Sequence, residues 1–418
     1  MSFFQIVVTG AFAVLIVVGV GVFSIFGGVG GGSGTGAVVV WGTTDDAVMQ
    51  GILGALKDKD GSLAQVTYTQ IPADTYLTTL VNAMAAGQGP DLFFVSQSNM
   101  GVLQDKLVPI SYDAVSQSTY LSSYIDEGRL FLTGQGYLAL PFMVDPLVMY
   151  WNRDLFTSAG IAQPPRYWSD LITMAPKLTT LDAGRGVSRS AVAMGAWSNI
   201  ANAKAILSAL FMQSGDFITN RDSTGALKAT FGDNSQAADA LRFYASFANP
   251  GQSVYSWNRS LPLSTNEFLA GDLAVYLGFA SEASTLATRN PNLHFAIATL
   301  PQLSGGSSNI TYGNLTGLAV SRGSRNPQGA IIAAQALSGV QAATILVGQT
   351  GLPPVRRDIP LNTAGNSTLE TFAQSALWSR GWADPNNTTT NGTFQTMIES
   401  VLSGRSVPAE AVGTAAQE

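Results

Sequence analysis

The chain has 418 residues, enough for two large lobes with substantial cores, but only 11% of them are charged and the net charge is −6. So mild an acidity, with no basic stripe, argues against nucleic acid as a partner. Cysteine is absent, which excludes disulfides, thiol catalysis, thiolate metal sites and acylation at a lipoprotein cysteine; histidine occurs once, so any catalytic triad or histidine metal site would have to be built around His294.

Phe3–Phe26 is almost continuously apolar and carries no charge. Its length fits a membrane-spanning helix better than the apolar core of a cleaved signal peptide, usually about 7–15 residues. No Lys or Arg precedes it, so orientation rests on little more than the amino terminus. The expectation is an uncleaved single-pass anchor over 1–26, with a cleaved signal as the alternative. Gly27–Gly36 reads as a flexible tether; no GK[ST] follows, so it is not a phosphate loop.

From Ala37 onward strand-like and helix-like segments alternate, the pattern of an α/β protein. Val38–Trp41 reads as a strand opening onto the polar turn Gly42–Asp46, followed by a helix from Ala47 to Lys57 and a strand over Gln65–Gln70. Leu77, Leu80, Val81 and Met84 form one apolar helical face that Gly87, Gly89 and Pro90 stop. Asp91–Val95 is the next buried strand.

Tyr137–Leu171 is the densest segment. Tyr137–Leu140 reads as a strand ended by Pro141, which cannot donate to a ladder. Asp145-Pro146 favours extended or turn geometry, and Leu147–Trp151 is a second strand. Asn152 can cap a short helix that Gly160 closes, and Pro164-Pro165 stops further helix. Later helices carry caps of their own: Asp233 or Asn234 before Ala238–Phe247, and Asn326-Pro327 before Ala330–Leu346.

The run P…D…YxN-DLF-AGI-PP-W-DL within that segment resembles the carbohydrate-type extracellular solute-binding proteins of ABC importers, which are maltose-binding-protein-like. WGTTDD at Trp41–Asp46 is similar to that family's opening strand and ligand loop, and AGQGPDLFFV at Ala86–Val95 to its Gly-x-x-Pro-Asp strand. FLAGDLAVYLGFA at Phe268–Ala280 resembles the segment that carries an aromatic residue into the site. YGNLTGLAVSRGSRNPQGA at Tyr312–Ala330 and GLPPVRRD at Gly351–Asp358 look like the two return crossings. The motifs are individually only moderately specific, but their number and order agree.

The resemblance implies a two-lobed periplasmic-binding-protein fold with three interlobe crossings: lobe one near 37–142 plus 316–350, lobe two near 143–315 plus 351–418. It implies a monomeric, membrane-tethered receptor that takes a sugar in the interlobe cleft and hands it to the transmembrane subunits of a permease, with no cofactor or metal. Motif-matched candidates for the ligand site are Thr44, Asp45, Gln97, Asn99, Asp145, Trp197, Phe279 and Tyr312. A sugar site needs aromatic faces and planar hydrogen-bonding groups, which these residue types supply.

Competing readings stand beside several of them. Asp145 can simply stabilise the turn before Pro146, Trp197 can be core, and Asp45 can cap a helix. Trp257 and Trp382 sit in polar stretches that favour ligand contact, but those stretches align poorly with the family and both stay outside the candidate site. Trp168 reads as packing, His294 as a strand residue, and Arg356-Arg357 as a solvated turn. The sequons at Asn309, Asn314, Asn387 and Asn391 arise by chance in an Asn/Thr-rich chain. Two other function classes stay open: a receptor or sensor for another polar solute, and an anchored glycoside hydrolase, for which no carboxylate pair stands out.

Overall fold

The computed structural model describes residues 35–222, 225–232, 235–306 and 308–418. The expected span Phe3–Phe26, most of the tether, and the caps at Asp233 and Asn234 lie outside them. Among the described residues no single helix is long and apolar enough to cross a membrane.

In chain order the strands that frame the molecule are β1 (Val38–Gly42), β2 (Val66–Gln70), β3 (Leu92–Ser96), β4 (Leu140–Asn152), β5 (Val187–Val192), β6 (Leu273–Phe279), β7 (Phe295–Thr299), β8 (Thr311–Ser321) and β9 (Ser379–Arg380). They join along one hydrogen-bonded path, β2-β1-β3-β8-β4-β6-β5, with β7 added to β4 and β9 to β8. β1 runs parallel to β2 and β3, as the helix-linked β-α-β order requires. β4 and β8 are antiparallel to each other.

The opening helix α1 (Asp46–Lys59) starts where expected, because Asp45 accepts from Ala47 N–H at 2.8 Å and relieves an orphan donor. α2 (Tyr76–Ala85) packs mainly through Tyr76 and Leu80, which are buried. The short helix Arg153–Ser158 is capped by Asn152, whose Oδ1 accepts from the N–H groups of Asp154 and Leu155, and Gly160 follows with φ +68°.

Two expectations are corrected. Tyr137–Leu140 and Leu147–Trp151 are not separate strands divided by Pro141. A single strand, β4, runs through both prolines. Over Leu140–Pro146 its ladder partner is β8 alone, whereas over Leu147–Asn152 it is flanked by β6 and β7. Pro141 also lies opposite a register shift at Gly317, so the missing N–H falls where the ladder is one-sided and irregular. Likewise Ala330–Leu346 is not one helix. α3 (Pro327–Leu337) and α4 (Val340–Thr350) meet at 55°, because Gly339 takes an extended conformation between them. Asn326 caps α3 by accepting from Gly329 N–H at 3.0 Å.

The apolar residues fall into two cores. One gathers Val38, Leu80, Phe93, Val95, Leu140, Val144, Leu318, Ala333 and Leu346; the other gathers Leu147, Tyr150, Trp168, Leu207, Phe211, Tyr244, Val275 and Ile398. β4 supplies both, changing core between Val144 and Leu147, and half-buried Met143 packs against each of them. A third connection, residues 351–358, is held without a strand: Ile125 N–H donates to Val355 O at 2.9 Å and Arg357 N–H to Ser123 O at 2.7 Å.

Candidate functional site

Where β4 and β8 leave one core for the other, their side chains alternate between buried and half-buried. Met143 and Asp145 on β4, with Tyr312, Asn314 and Thr316 on β8, are the half-buried set. The register pairs Asn314 with Asp145 and Thr316 with Met143, so all five share one face of the sheet. β6 extends that face, since Phe279 pairs with Leu147 two residues beyond Asp145. The rings of Phe279 and Tyr312 meet at 6.2 Å and 64°, edge to face.

Asp145 Oδ1 accepts the backbone N–H of Ser281 at 3.0 Å. Burial nevertheless raises its pKa to about 6, with the nearby Glu282 carboxylate adding to the rise. Glu282 in turn fixes the turn after β6: it accepts from Phe279 N–H at 2.7 Å and from Asn202 Nδ2 at 3.0 Å, and the Tyr276 hydroxyl donates to it at 2.5 Å. Three groups thereby hold the loop that carries both Phe279 and the anchor for Asp145.

Gln97 stands apart from the expected ligand role. It is 1% exposed, and its side-chain amide continues the ladder where β3 stops: Nε2 donates to Gly313 O at 2.7 Å and Oε1 accepts from Leu315 N–H at 3.2 Å. Together β3, this amide and β9 cover one edge of β8 in succession. Tyr312, its hydroxyl hydrogen-bonded to the Gln97 side chain, has its pKa pushed up by burial.

Thr44 and Asp45 lie in the loop that follows β1, and Asn99 lies just beyond β3, at the carboxyl ends of neighbouring parallel strands. Thr44 is buried with its hydroxyl unpaired. Asp45 uses one oxygen as the α1 cap. Asn99 is half-buried and, among the described residues, its amide makes no hydrogen bond. Trp197 is half-buried against the second core in the loop before the helix Ala203–Gln213.

Two other tryptophans are core residues, although their polar surroundings in sequence point toward ligand contact. Trp257 is 0% exposed and donates to Asn199 Oδ1 at 3.0 Å; Trp382 stacks on Phe394, donates to Ser208 Oγ and lies under the Lys204 ammonium. The polar residues around them in sequence are their hydrogen-bond partners and caps. Trp168 packs as expected. The turn carrying Arg356 and Arg357 is exposed at Arg357 and Asp358, as expected, but both guanidinium groups are engaged: Arg356 lies over the Tyr124 ring and pairs with Asp358, and Arg357 pairs with Asp126 at 3.0 Å. His294 is exposed immediately before β7, 3.1 Å from Asp154.

Sequence reasoning missed Asn314 and Glu127. Glu127 is 1% exposed, neither oxygen has a hydrogen-bond partner among the described residues, and burial raises its pKa to about 8 against the pull of Arg380. Nothing local marks it, because it follows Asp126 in an ordinary polar turn. Asn314 would have been found by pairing the two crossing strands in register.

The fold is that of the two-lobed α/β periplasmic-binding proteins. A model of the bacterial extracellular solute-binding protein family matches residues 21–339, and the chain belongs to that family. It is 23% identical over 277 residues to a protein of Brucella abortus named as a binding protein, and spans 62% of that relative's length. Among solved structures it resembles a cyclo/maltodextrin-binding protein complexed with maltotetraose, with a TM-score of 0.74 at 17% identity, covering 93% of this chain and 97% of that one. The cyclic α-maltosyl-1,6-maltose binding protein of Arthrobacter globiformis gives a TM-score of 0.72 at 16% identity, covering 91% and 97%.

Proposed function

We propose that the chain is a surface receptor that captures a sugar or oligosaccharide between its two lobes and delivers it to the membrane subunits of an ABC importer. One observation carries this reading: a carboxylate, Asp145, flanked by the Phe279 and Tyr312 rings on the face where both crossing strands change lobe. A pyranose offers an apolar face to such rings and hydroxyls to such a carboxylate. The maltotetraose bound to one structural neighbour and the sugar for which the other is named support it. Thr44, Asp45, Asn99 and Trp197 are proposed as contacts from the flanking loops.

The lobes are proposed as 37–142 plus 316–350 and 143–315 plus 351–418. A ligand touching both favours the closed arrangement through its differential affinity. Phe3–Phe26 is proposed as the membrane anchor of a monomeric receptor, and the site as one of capture without turnover.

The test uses Thr35–Glu418, which forms one compact unit. Thermal unfolding is followed with a panel of oligosaccharides, amino acids and polyamines. Stabilisation by an oligosaccharide that is recovered intact supports the reading. Stabilisation only by amino acids or polyamines, or cleavage of the sugar, overturns it.

A further inference from the structure

We propose that Asn314 is a specificity residue of this site and that, with Asp145, it forms a two-pronged reader of adjacent hydroxyls on the bound sugar. The inference rests on the carbohydrate reading above.

Asn314 and Asp145 are direct partners across the β4–β8 ladder, which places their Cβ atoms about 4.5–5.5 Å apart on one face. Both are half-buried, so neither is a freely solvated surface group. Asp145 is oriented by the Ser281 N–H on Oδ1, with the Ser281 side chain and the Ala280 backbone also bonding the carboxylate; a carboxylate has about four acceptor sites, so one is left for a sugar hydroxyl. The Asn314 amide makes no hydrogen bond among the described residues, whereas the Gln97 amide, at the edge of β8, bonds the backbone of Gly313 and Leu315 on either side of it.

An acceptor-only carboxylate beside an amide that both donates and accepts is complementary to a vicinal diol. One hydroxyl donates to the Asp145 carboxylate, and its neighbour takes the Nδ2 proton or donates to Oδ1 of Asn314. The rings of Phe279 and Tyr312 flank the pair and limit how the sugar can turn. Discrimination follows because a sugar lacking either hydroxyl, or presenting it on the other face, leaves a half-buried polar group unpaired.

The test measures calorimetric affinities of the full chain in detergent for maltose, cellobiose and mannobiose, and for the 2-deoxy and 3-deoxy analogues of whichever binds best. Asn314→Ala should weaken the best disaccharide about tenfold and shrink the gap between it and one deoxy analogue to under threefold. Asn314→Asp sets two carboxylates face to face, so its binding should be lost near pH 8 and regained toward pH 5, while the wild type does not lose binding at pH 8. Thermal unfolding without sugar should be close to wild type for both variants. Unchanged affinity and unchanged analogue preference in Asn314→Ala overturn the inference while leaving the carbohydrate reading in place. Failure of the wild-type chain to bind these disaccharides or any member of the oligosaccharide panel removes both.

Discussion

The carboxylate of Glu127 lies against the bare Cα of Gly313 on β8, in the space a Cβ there would occupy. Glycine is required at this position by a neighbour rather than by backbone conformation. Gly313→Ala should therefore destabilise the protein by about 1–3 kcal/mol, as overpacking does. In an Glu127→Ala background the same change should cost little. Equal losses in both backgrounds, measured by urea unfolding, would refute the contact.

Glu127 also makes stability depend on pH. In the unfolded chain it loses its proton near 4.5, whereas the folded chain holds it to about 8. Folding therefore takes up a proton between those values, and stability falls as pH rises through that window, then levels above it. The rise from 4.5 to about 8 corresponds to on the order of 5 kcal/mol. Glu127→Gln should match wild type near pH 4 and exceed it near pH 9. Parallel stability curves for the two proteins would show that the burial is without consequence.

Asp145 titrates lower, at about 6, and its proposed role in binding gives the opposite trend. Its ionised form is the better acceptor for a sugar hydroxyl, so affinity should rise as pH increases from 5 to 7. Asp145→Ala should weaken binding by about 1–3 kcal/mol, and Asp145→Asn should flatten the pH profile. A wild-type profile with no inflection in that range would remove the carboxylate from the site.

Gln97 and the tryptophans separate stability from binding. Gln97→Leu leaves the Gly313 carbonyl and the Leu315 N–H unpaired, with an expected loss of about 2–4 kcal/mol in urea unfolding. Trp257→Ala opens a core cavity and should cost about 3–5 kcal/mol. Phe279→Ala should leave stability closer to wild type but weaken sugar binding. If instead Trp257→Ala folds stably and loses affinity, Trp257 belongs to the site.

Much of this was legible in the chain. Local signals with a single physical cause, such as the Asn152 and Asn326 caps or the β1 to β3 run, are found where periodicity and capping put them. Pro141 misled because proline's penalty depends on whether a strand has one neighbour or two, and that is a property of the sheet. Trp257 and Trp382 misled because the polar residues around them serve as their partners. Asn314 and Glu127 were invisible for a related reason: each takes its meaning from a residue more than 100 positions away, Asp145 for one and Gly313 for the other.

The crossing at β4 and β8 has a mechanical consequence. Two of the three connections between the two cores are strands bonded to each other, so a movement of one proposed lobe against the other has to twist a ribbon rather than swing on a loop. Asp145 lies on that ribbon, so the proposed site would sit near the axis of such a torsion, where the walls sweep least.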